Sequence, residues 1–508
     1  MKPTTEDTED TEVGQLEDEL PEGWAWTTIG KCFSEIRNGT TEQQNSAGAG
    51  VPVSRIESIQ RAAFDLKRVG HIQTPSKKLL ATFCYLPGDI AFSHINSYEH
   101  VGKTAIYAGR PAPFIHGMNL LRLRLGHSYV DPYYLYTYMQ SLAFREDVRT
   151  RVNRAVNQVS INQKQLSQIR LPIAPLAEQK RIVAKVEELL ARVSAARARL
   201  ARVPAILKRL RQSILAAACS GRLTEEWRMA NAGAESASQT LTRMKAAATP
   251  IKTRRGVPDA VPMSEAADQF DLPDSWAKES VAELLKCGGL LDVKDGNHGA
   301  NHPKRDDFTT EGLPFITAAQ VSNYSIDYDG APKVAGKALE CLRVGFAQVN
   351  DAVLTHKGTV GRAALNLRPC VLTPQTTYYR CNAELLLPHY LVYFMTSAQL
   401  YQQMAAVMSQ TTRDFVPISE QYNMFIFLPP LKEQSEIVRR VEALFRLADE
   451  VEKRAAAATA RADRLTQAIL AKAFRGELVP TEAELARREG RGFESGEELL
   501  AKTQANAQ

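Results

Sequence analysis

The feature that most limits what this chain can fold into is a heptad seam that occurs twice. Ile182, Val186, Leu189, Val193, Ala196, Leu200, Val203, Leu207, Leu210 and Ile214 are all apolar or small and alternate four and three residues apart. Their mean period of about 3.5 falls short of the roughly 3.6 of a straight helix, so the stripe keeps one face only if the helix coils around a partner. The chain carries its own partner. Adding 255 to each position gives Ile437, Val441, Leu444, Ala448, Val451, Ala455, Ala458, Ala462, Leu465 and Ile469, again without a polar residue. The spacing predicts two long helices, with Ile182, Val186, Leu189, Val193, Leu200 and Leu207 pairing against Ile437, Val441, Leu444, Val451, Leu465 and Ile469.

The duplication reaches beyond the seam. Pro175-Leu176-Ala177-Glu178-Gln179 recurs as Pro430-Leu431-Lys432-Glu433-Gln434, and RLRQSILAAACSGRL (209–223) recurs as RLTQAILAKAFRGEL (464–478). Leu20-Pro21-Glu22-Gly23-Trp24 returns as Leu272-Pro273-Asp274-Ser275-Trp276. These repeats divide the chain into an acidic tail (1–19), a first domain (20–174), a first helix (175–226), a linker (227–271), a second domain (272–429), a second helix (430–478) and a C-terminal tail (479–508). Short β-type runs at 86–92, 104–107 and 119–125, followed by a helical stretch at 132–147, indicate an α+β class. Two mixed α/β domains related by a pseudo-twofold axis, joined by a pair of long antiparallel coiled-coil helices, are the expected architecture. Antiparallel pairing follows if each domain starts its own helix and the axis crosses the pair. Pro204 should kink or break the first helix, whereas Thr459 stands at its counterpart. The linker is expected to hold one helical turn. The C-terminal tail has two readings, a short amphipathic helix returning to the first domain or a loose end.

Composition narrows the class further. At 508 residues, 44% hydrophobic and 24% charged, the chain has material for more than one globular core. No apolar run approaches the roughly 18–20 residues that span a bilayer, and the first twenty residues are acidic, so no membrane association and a cytoplasmic location are expected. Seven cysteines without zinc-ligand spacing read as reduced thiols, and no metal or cofactor is expected. Three strings tempt a catalytic reading. Gly102-Lys103-Thr104 lacks the leading glycine of a phosphate loop, because Ser97 stands there. Asp131-Pro132-Tyr133-Tyr134 has tyrosine where a base-amine-holding motif has a second proline, and it opens a helix that recurs at 388–397. Asp292-Val293-Lys294 has no upstream acid to complete a nuclease set. His94 and His356 coincide in the internal alignment without a nucleophile beside either, which favours a structural or contact role. A non-catalytic chain is expected.

Charge is uneven. Residues 20–175 carry 18 basic against 10 acidic side chains, while 272–430 carry 13 against 15. Basic and amide residues gather in expected loops: Arg61, Lys67, Arg68, Lys77, Lys78, Lys103, Arg154, Asn157 and Gln158 in the first half, and Asn297, His298, Lys304, Arg305, Lys357, Arg362, Gln375 and Arg413 in the second. Such side chains bridge guanine or adenine edges in the major groove and hold phosphates, which makes them the candidate DNA contacts.

On the repeated opening strings, the PLAEQKRIVAKVEELL and PLKEQSEIVRRVEALF helix starts, and the matched helix ends, the chain resembles the specificity subunit of Type I restriction-modification enzymes over about 20–226 and 272–478. The resemblance implies two target recognition domains, each reading one half of a bipartite sequence in double-stranded DNA. It implies helices that set the spacer and dock two methyltransferase subunits, with restriction and translocase subunits completing the complex. It also implies that S-adenosylmethionine, ATP and Mg belong to those partners. Two other readings stay open: the recognition subunit of a combined nuclease-methyltransferase system, and a scaffold that binds protein and not DNA.

Overall fold

The computed structural model describes residues 19–45, 48–126, 129–156, 158–247, 270–298, 302–410 and 414–505. All but the last residue of the expected acidic tail, and 248–269 of the expected linker, lie outside them. The chain forms two compact units, 1–201 with 456–508 and 202–455. The division falls inside both long helices, so each unit owns part of each.

In the first unit an antiparallel four-stranded sheet runs in the order Phe33–Asn38, Leu120–Leu125, Ile90–Ser93, Thr104–Ile106. Helices Pro132–Tyr138 and Leu142–Arg151 follow, with Asp131 and Ser141 as their caps. Phe144, Val148, Tyr134 and Tyr138 close one core with Ile90, Phe92, Leu121 and Leu123. The second unit repeats the order with Leu290–Asp295, Thr376–Cys381, Ala352–Thr355 and Ala363–Leu365, and with helices Pro388–Met395 and Ala398–Val407. One buried pair recurs in detail. Asp89 accepts from Arg124 Nε and Nη2 (2.8 and 2.6 Å) and from Leu86 N (2.7 Å). Asp351 accepts from Arg380 (2.9 and 2.8 Å) and from Gln348 N (2.7 Å).

The halves part company between the first two strands of the sheet. The first unit fills that stretch with small ladders, Val51–Val53 with Gly70–Ile72 and Ile59–Gln60 with Ala63–Phe64. The second builds a five-stranded sheet there, with one parallel pairing, Leu313–Ile316 on Cys370–Leu372.

The repeated Glu-Gln dipeptide tethers each long helix to its domain. Buried Gln179 accepts from Asp131 N (2.9 Å) and donates to Ala174 O (2.8 Å), tying the start of the long helix to the cap of Pro132–Tyr138. Gln434 accepts from Leu387 N (2.8 Å) and donates to Leu385 O and Pro429 O (2.7 and 2.9 Å). Glu178 accepts from Trp24 Nε1 (3.0 Å) and Glu482 N (2.8 Å). Glu433 accepts from Thr224 Oγ1 (2.7 Å) and Arg228 Nη1 (2.6 Å). These bonds supply partners for backbone groups that burial would otherwise leave unpaired.

The first long helix is interrupted. It runs Leu176–Leu200, then resumes as Val203–Cys219 with Pro204 in its first turn, because proline cannot donate to Leu200 O and its ring crowds that carbonyl. The second, Leu431–Phe474, is unbroken. The sense is antiparallel in each unit. In the first, Arg181 meets Glu482 (2.7 Å) and Arg197 meets Asp463 (2.6 Å) and Thr466 (3.0 Å). In the second, Arg211 meets Asp449 and Glu452 (2.6 and 2.8 Å) while Thr224 meets Glu433.

The seam is dry only toward the ends of the helices. Ile182, Val186, Val193 and Ile469 are buried in the first unit's core, with Leu189 half-buried against them. Leu207, Ile437 and Val441 are buried in the second unit, where Leu444 packs half-buried. Leu200 is half-buried. The expected burial of Val451 and Leu465 fails, as they are 41% and 49% exposed. Near them the seam consists of alanines (Ala455, Ala458 and Ala462), and the cross-helix ties are made by Arg197 and Arg211 instead of apolar knobs.

The connecting segments are more ordered than a linker with a single turn. Ala237–Ala247 is a three-turn helix, opened by reciprocal bonds between Ser236 and Gln239 (3.2 and 2.8 Å), that buries Ala237 and Leu241. Its first N–H meets Ser275 O (3.0 Å). The C-terminal tail takes the docked reading. Gly496 N donates to Gly23 O (2.7 Å), Leu499 is buried, and Arg487 pairs with Glu22 (2.6 Å). Gly23 and Ser275 are equivalent positions of the two opening strings, so the tail helix Gly496–Ala505 holds the first unit as Ala237–Ala247 holds the second.

Candidate nucleic-acid interface

At one end of each central sheet a histidine, half-buried in the first unit and buried in the second, begins the same construction. His94 follows strand Ile90–Ser93, and its carbonyl accepts from Ile161 N (2.9 Å). Ile95–Asn96 then pairs with Gln158–Ser160, the second strand of a hairpin whose first is Asn153–Ala155. His356 follows Ala352–Thr355, and its carbonyl accepts from Val416 N (2.9 Å) beside the hairpin Ser409–Gln410 with Asp414–Phe415. Lys357 bridges to Phe415 and sets its ammonium 5.3 Å from that ring.

The imidazoles are kept neutral. Burial holds His94 and His356 below the ordinary histidine range, partly opposed by hydrogen bonds with the backbone of Asn119 and Val416. His356 Nδ1 bonds Val416 O (2.9 Å), which leaves Nε2 buried without a partner among the described residues. Both rings sit at the base of the hairpin, and the charge of Asp295 also acts on His356.

Backbone bonding also equates Lys103 with Arg362. Ser93 N donates to Lys103 O and Thr355 N donates to Arg362 O, each at 2.8 Å, and the preceding Gly102 and Gly361 donate back to Ser93 O and Thr355 O. Gly102-Lys103-Thr104 therefore lies in a β-connection at the edge of the sheet. No helix N-terminus follows it, which a phosphate loop requires.

Around Lys103 the first unit collects positive charge. Burial and then the neighbouring Arg145 guanidinium hold the Lys103 ammonium below its usual range, and burial and then Arg149 act likewise on Arg145. Tyr98, 43% exposed, lies under two guanidinium groups, Arg149 at 5.8 Å and Arg154 at 5.1 Å from its centroid. Arg154 and Gln158 stand exposed on the hairpin, and Val156 at its turn is 90% exposed. Asn157 and Arg413 lie outside the described residues.

The structure separates the remaining candidates. Arg61, Lys67, Arg68, Lys77 and Lys78 are exposed in the first unit's divergent insert, with Arg68 paired to Asp65 (3.3 Å). Lys304 and Arg305 are exposed in the second unit's insert, and His298 Nδ1 bonds Gly296 O (3.0 Å). Arg362 donates to Val321 O (3.4 Å). Two expected surface contacts are corrected. Asn297 is buried, its backbone N bonded to Leu372 O (2.7 Å), and half-buried Gln375 uses its side-chain oxygen to accept from Ala318 N (3.1 Å). Amides at turns serve their own backbone as readily as a ligand.

Sequence reasoning missed Tyr98, Arg145 and Arg149. Arg145 and Arg149 are four apart on Leu142–Arg151, beside the buried Phe144 and Val148. That spacing is visible in the sequence, where it reads as an ordinary solvated helix face. The tyrosines after Asp131 are structural: Tyr134 and Tyr138 hydroxyls donate to Pro172 O (3.0 Å) and Arg170 O (3.3 Å).

Among the described residues no three His, Cys, Asp or Glu side chains come together as a metal site, and no helix is long and apolar enough to cross a membrane. Among the described residues the seven cysteines form no disulfide.

Residues 21–204 match the family model described as the Type I restriction modification DNA specificity domain. A stretch of 172 residues is 41% identical to the MjaX type I restriction enzyme specificity subunit of Methanocaldococcus jannaschii, and covers 34% of this chain but only 40% of that relative's length. The EcoKI specificity subunit of Escherichia coli K12 is 26% identical over 466 residues, 90% of each chain. The crystal structure of the HsdS subunit from Thermoanaerobacter tengcongensis shares the fold, with a TM-score of 0.53 and 19% identity over 90% of this chain and 98% of that one.

Proposed function

Because residues 21–204 match the Type I restriction modification DNA specificity domain and most of the chain is similar to a Type I specificity subunit, we propose that the chain is such a subunit and that each of its two units reads one half of a bipartite sequence in double-stranded DNA. The observation that carries this reading is the histidine-and-hairpin frame, present in both units with different side chains on it. Two readers of unlike half-sites need a shared frame and unshared contacts. The contact residues are Lys103, Arg154 and Gln158 in the first unit and Lys357 and Arg362 in the second, with the exposed basic residues of the two inserts beside them. Asn157 and Arg413, which lie outside the described residues, belong to the same proposed set.

The long helices set the unspecified spacer. At about 1.5 Å per residue, the 44 residues of Leu431–Phe474 span on the order of 66 Å. They also dock two methyltransferase subunits, and restriction subunits complete the complex. The chain contributes no chemistry itself; S-adenosylmethionine, ATP and Mg are bound by its partners.

The test is single-base methylation mapping in a host that expresses this chain with its neighbouring methyltransferase, against the same host without the chain. A split, asymmetric motif with a fixed gap is expected, altered in one half only when 20–174 are exchanged for another recognition domain. Methylation independent of the chain would overturn the reading.

A further inference from the structure

The cationic cluster of the first unit is larger than its fold requires. Arg145 and Arg149 form a like-charge pair four apart on one helix, an arrangement that weakens a helix by a few tenths of a kcal/mol when nothing offsets it. Arg145 is half-buried, and its Nε has no hydrogen-bond partner among the described residues. Lys103, on the edge of the sheet, faces Arg145. Among the described residues no carboxylate forms an ion pair with Lys103, Arg145 or Arg149. Asp147, on the same helix, is engaged by Arg151 (2.8 Å).

The second unit shows that packing does not explain these charges. Ser141 and Ser397 cap equivalent helices, so Arg145 corresponds to Tyr401 and Arg149 to Ala405. Beneath them, Val148 lies against Gly102, and Tyr401 and Met404 lie against Gly361. An aromatic ring and an alanine complete the same fold without charge. The cations of the first unit therefore cost stability and await an anion.

We infer that Lys103, Arg145 and Arg149 form a seat for one backbone phosphate of duplex DNA, with Tyr98 steadied between Arg149 and Arg154 as its rim. This rests on the reading of the chain as a DNA-binding subunit, and adds that its first unit grips the DNA backbone where its second does not. Guanidinium and ammonium groups converging from a helix and a sheet edge suit a phosphate's several oxygens. Base edges carry too little charge to offset three cations, and a phosphate contact is indifferent to sequence.

The test is binding of the full chain to a labelled duplex that carries its mapped methylation motif, and to a second duplex of scrambled sequence, from 50 to 300 mM KCl. Each of Lys103→Gln, Arg145→Gln and Arg149→Gln should weaken binding several-fold on both duplexes and reduce the salt-dependence slope by about one. The motif preference should not change. Arg145→Lys, which keeps the charge, should restore the slope. If Arg145→Gln unfolds the unit, the other two substitutions decide the matter, since Arg149 lies above the core. Wild-type slopes in folded variants would overturn the seat alone, as would a loss confined to the motif duplex. A wild-type chain that binds neither duplex would overturn the underlying reading as well.

Discussion

The two units share a sheet order, a buried Asp–Arg pair, a Glu-Gln tether and a hairpin on a histidine, yet they differ where they would meet DNA. The first presents Arg149 and Arg154 over one tyrosine, with Arg145 and Lys103 beside Arg149, and the corresponding helix of the second presents Tyr401 and Ala405. The shared parts are held by backbone bonds and by buried side chains bonded to backbone or to one another; the unshared side chains stand on that frame. A frame fixed in this way tolerates exchange of its exposed residues, as the proposed reading of two unlike half-sites requires.

The comparison breaks most sharply at the shared ion pair. Asp89→Ala and Asp351→Ala should each cost about 3 kcal/mol, near the low end for breaking a buried pair because Arg124 and Arg380 keep partial solvent access. Denaturation of the full chain followed by hydrogen exchange should show each loss confined to the unit that carries the substitution. Equal destabilisation of both units by either change would mean that they do not fold as separate frames. The helices offer the next contrast. Ile437→Ala, fully buried, should cost about 2–4 kcal/mol. Val451→Ala, on the same helix and in the same heptad pattern, should cost under about 1 kcal/mol because its side chain is already half in water. The tethers come third. Gln179→Ala and Gln434→Ala each orphan buried backbone groups at a helix start, a loss of about 1–3 kcal/mol. Matching losses would show that the repeated dipeptide does one job twice.

Much of this was legible in the sequence, and the reason is chemical. Repetition of Pro-Leu-x-Glu-Gln marks a position where buried side-chain oxygens and amides answer particular backbone groups, and only those residues fit. The heptad pattern gave the helices and their sense because period and connectivity are one-dimensional properties. It misplaced Val451 and Leu465 because periodicity says which residues share a stripe and not what covers the stripe at each level. Contact residues were less legible. Asn297 and Gln375 look like base readers in a string, but Asn297 is buried and the Gln375 side chain accepts from Ala318 N. Arg145 and Arg149 look like an ordinary solvated helix face until Lys103 arrives from a strand about forty residues earlier in the chain.

The smallest expected difference between the units is their response to acid. Burial pushes His116 down to about 3 and lowers His94, both in the first unit; in the second, His356 is lowered. Unfolded, each titrates near 6.5. Below that value the unfolded chain takes up protons that the native imidazoles refuse, so stability is lost as pH falls from about 6.5 toward the folded values. Each such histidine contributes at most about 1.4 kcal/mol per pH unit. Carboxylates lowered by arginines, such as Glu35, add their own loss only below about 4.5. Glu178, raised by burial, works the other way and gains as pH falls through its folded value. Between pH 7 and 5, then, the protection of amides against hydrogen exchange, corrected for the intrinsic rate at each pH, should fall more in Ile90–Ser93 and Leu120–Leu125 than in Ala352–Thr355. His116→Gln, which keeps a donor for Leu120 O (3.0 Å from the native Nε2), should bring the first unit's slope down to the second's. Equal slopes in the wild-type chain would show that the extra buried imidazole is not what separates the two frames in acid.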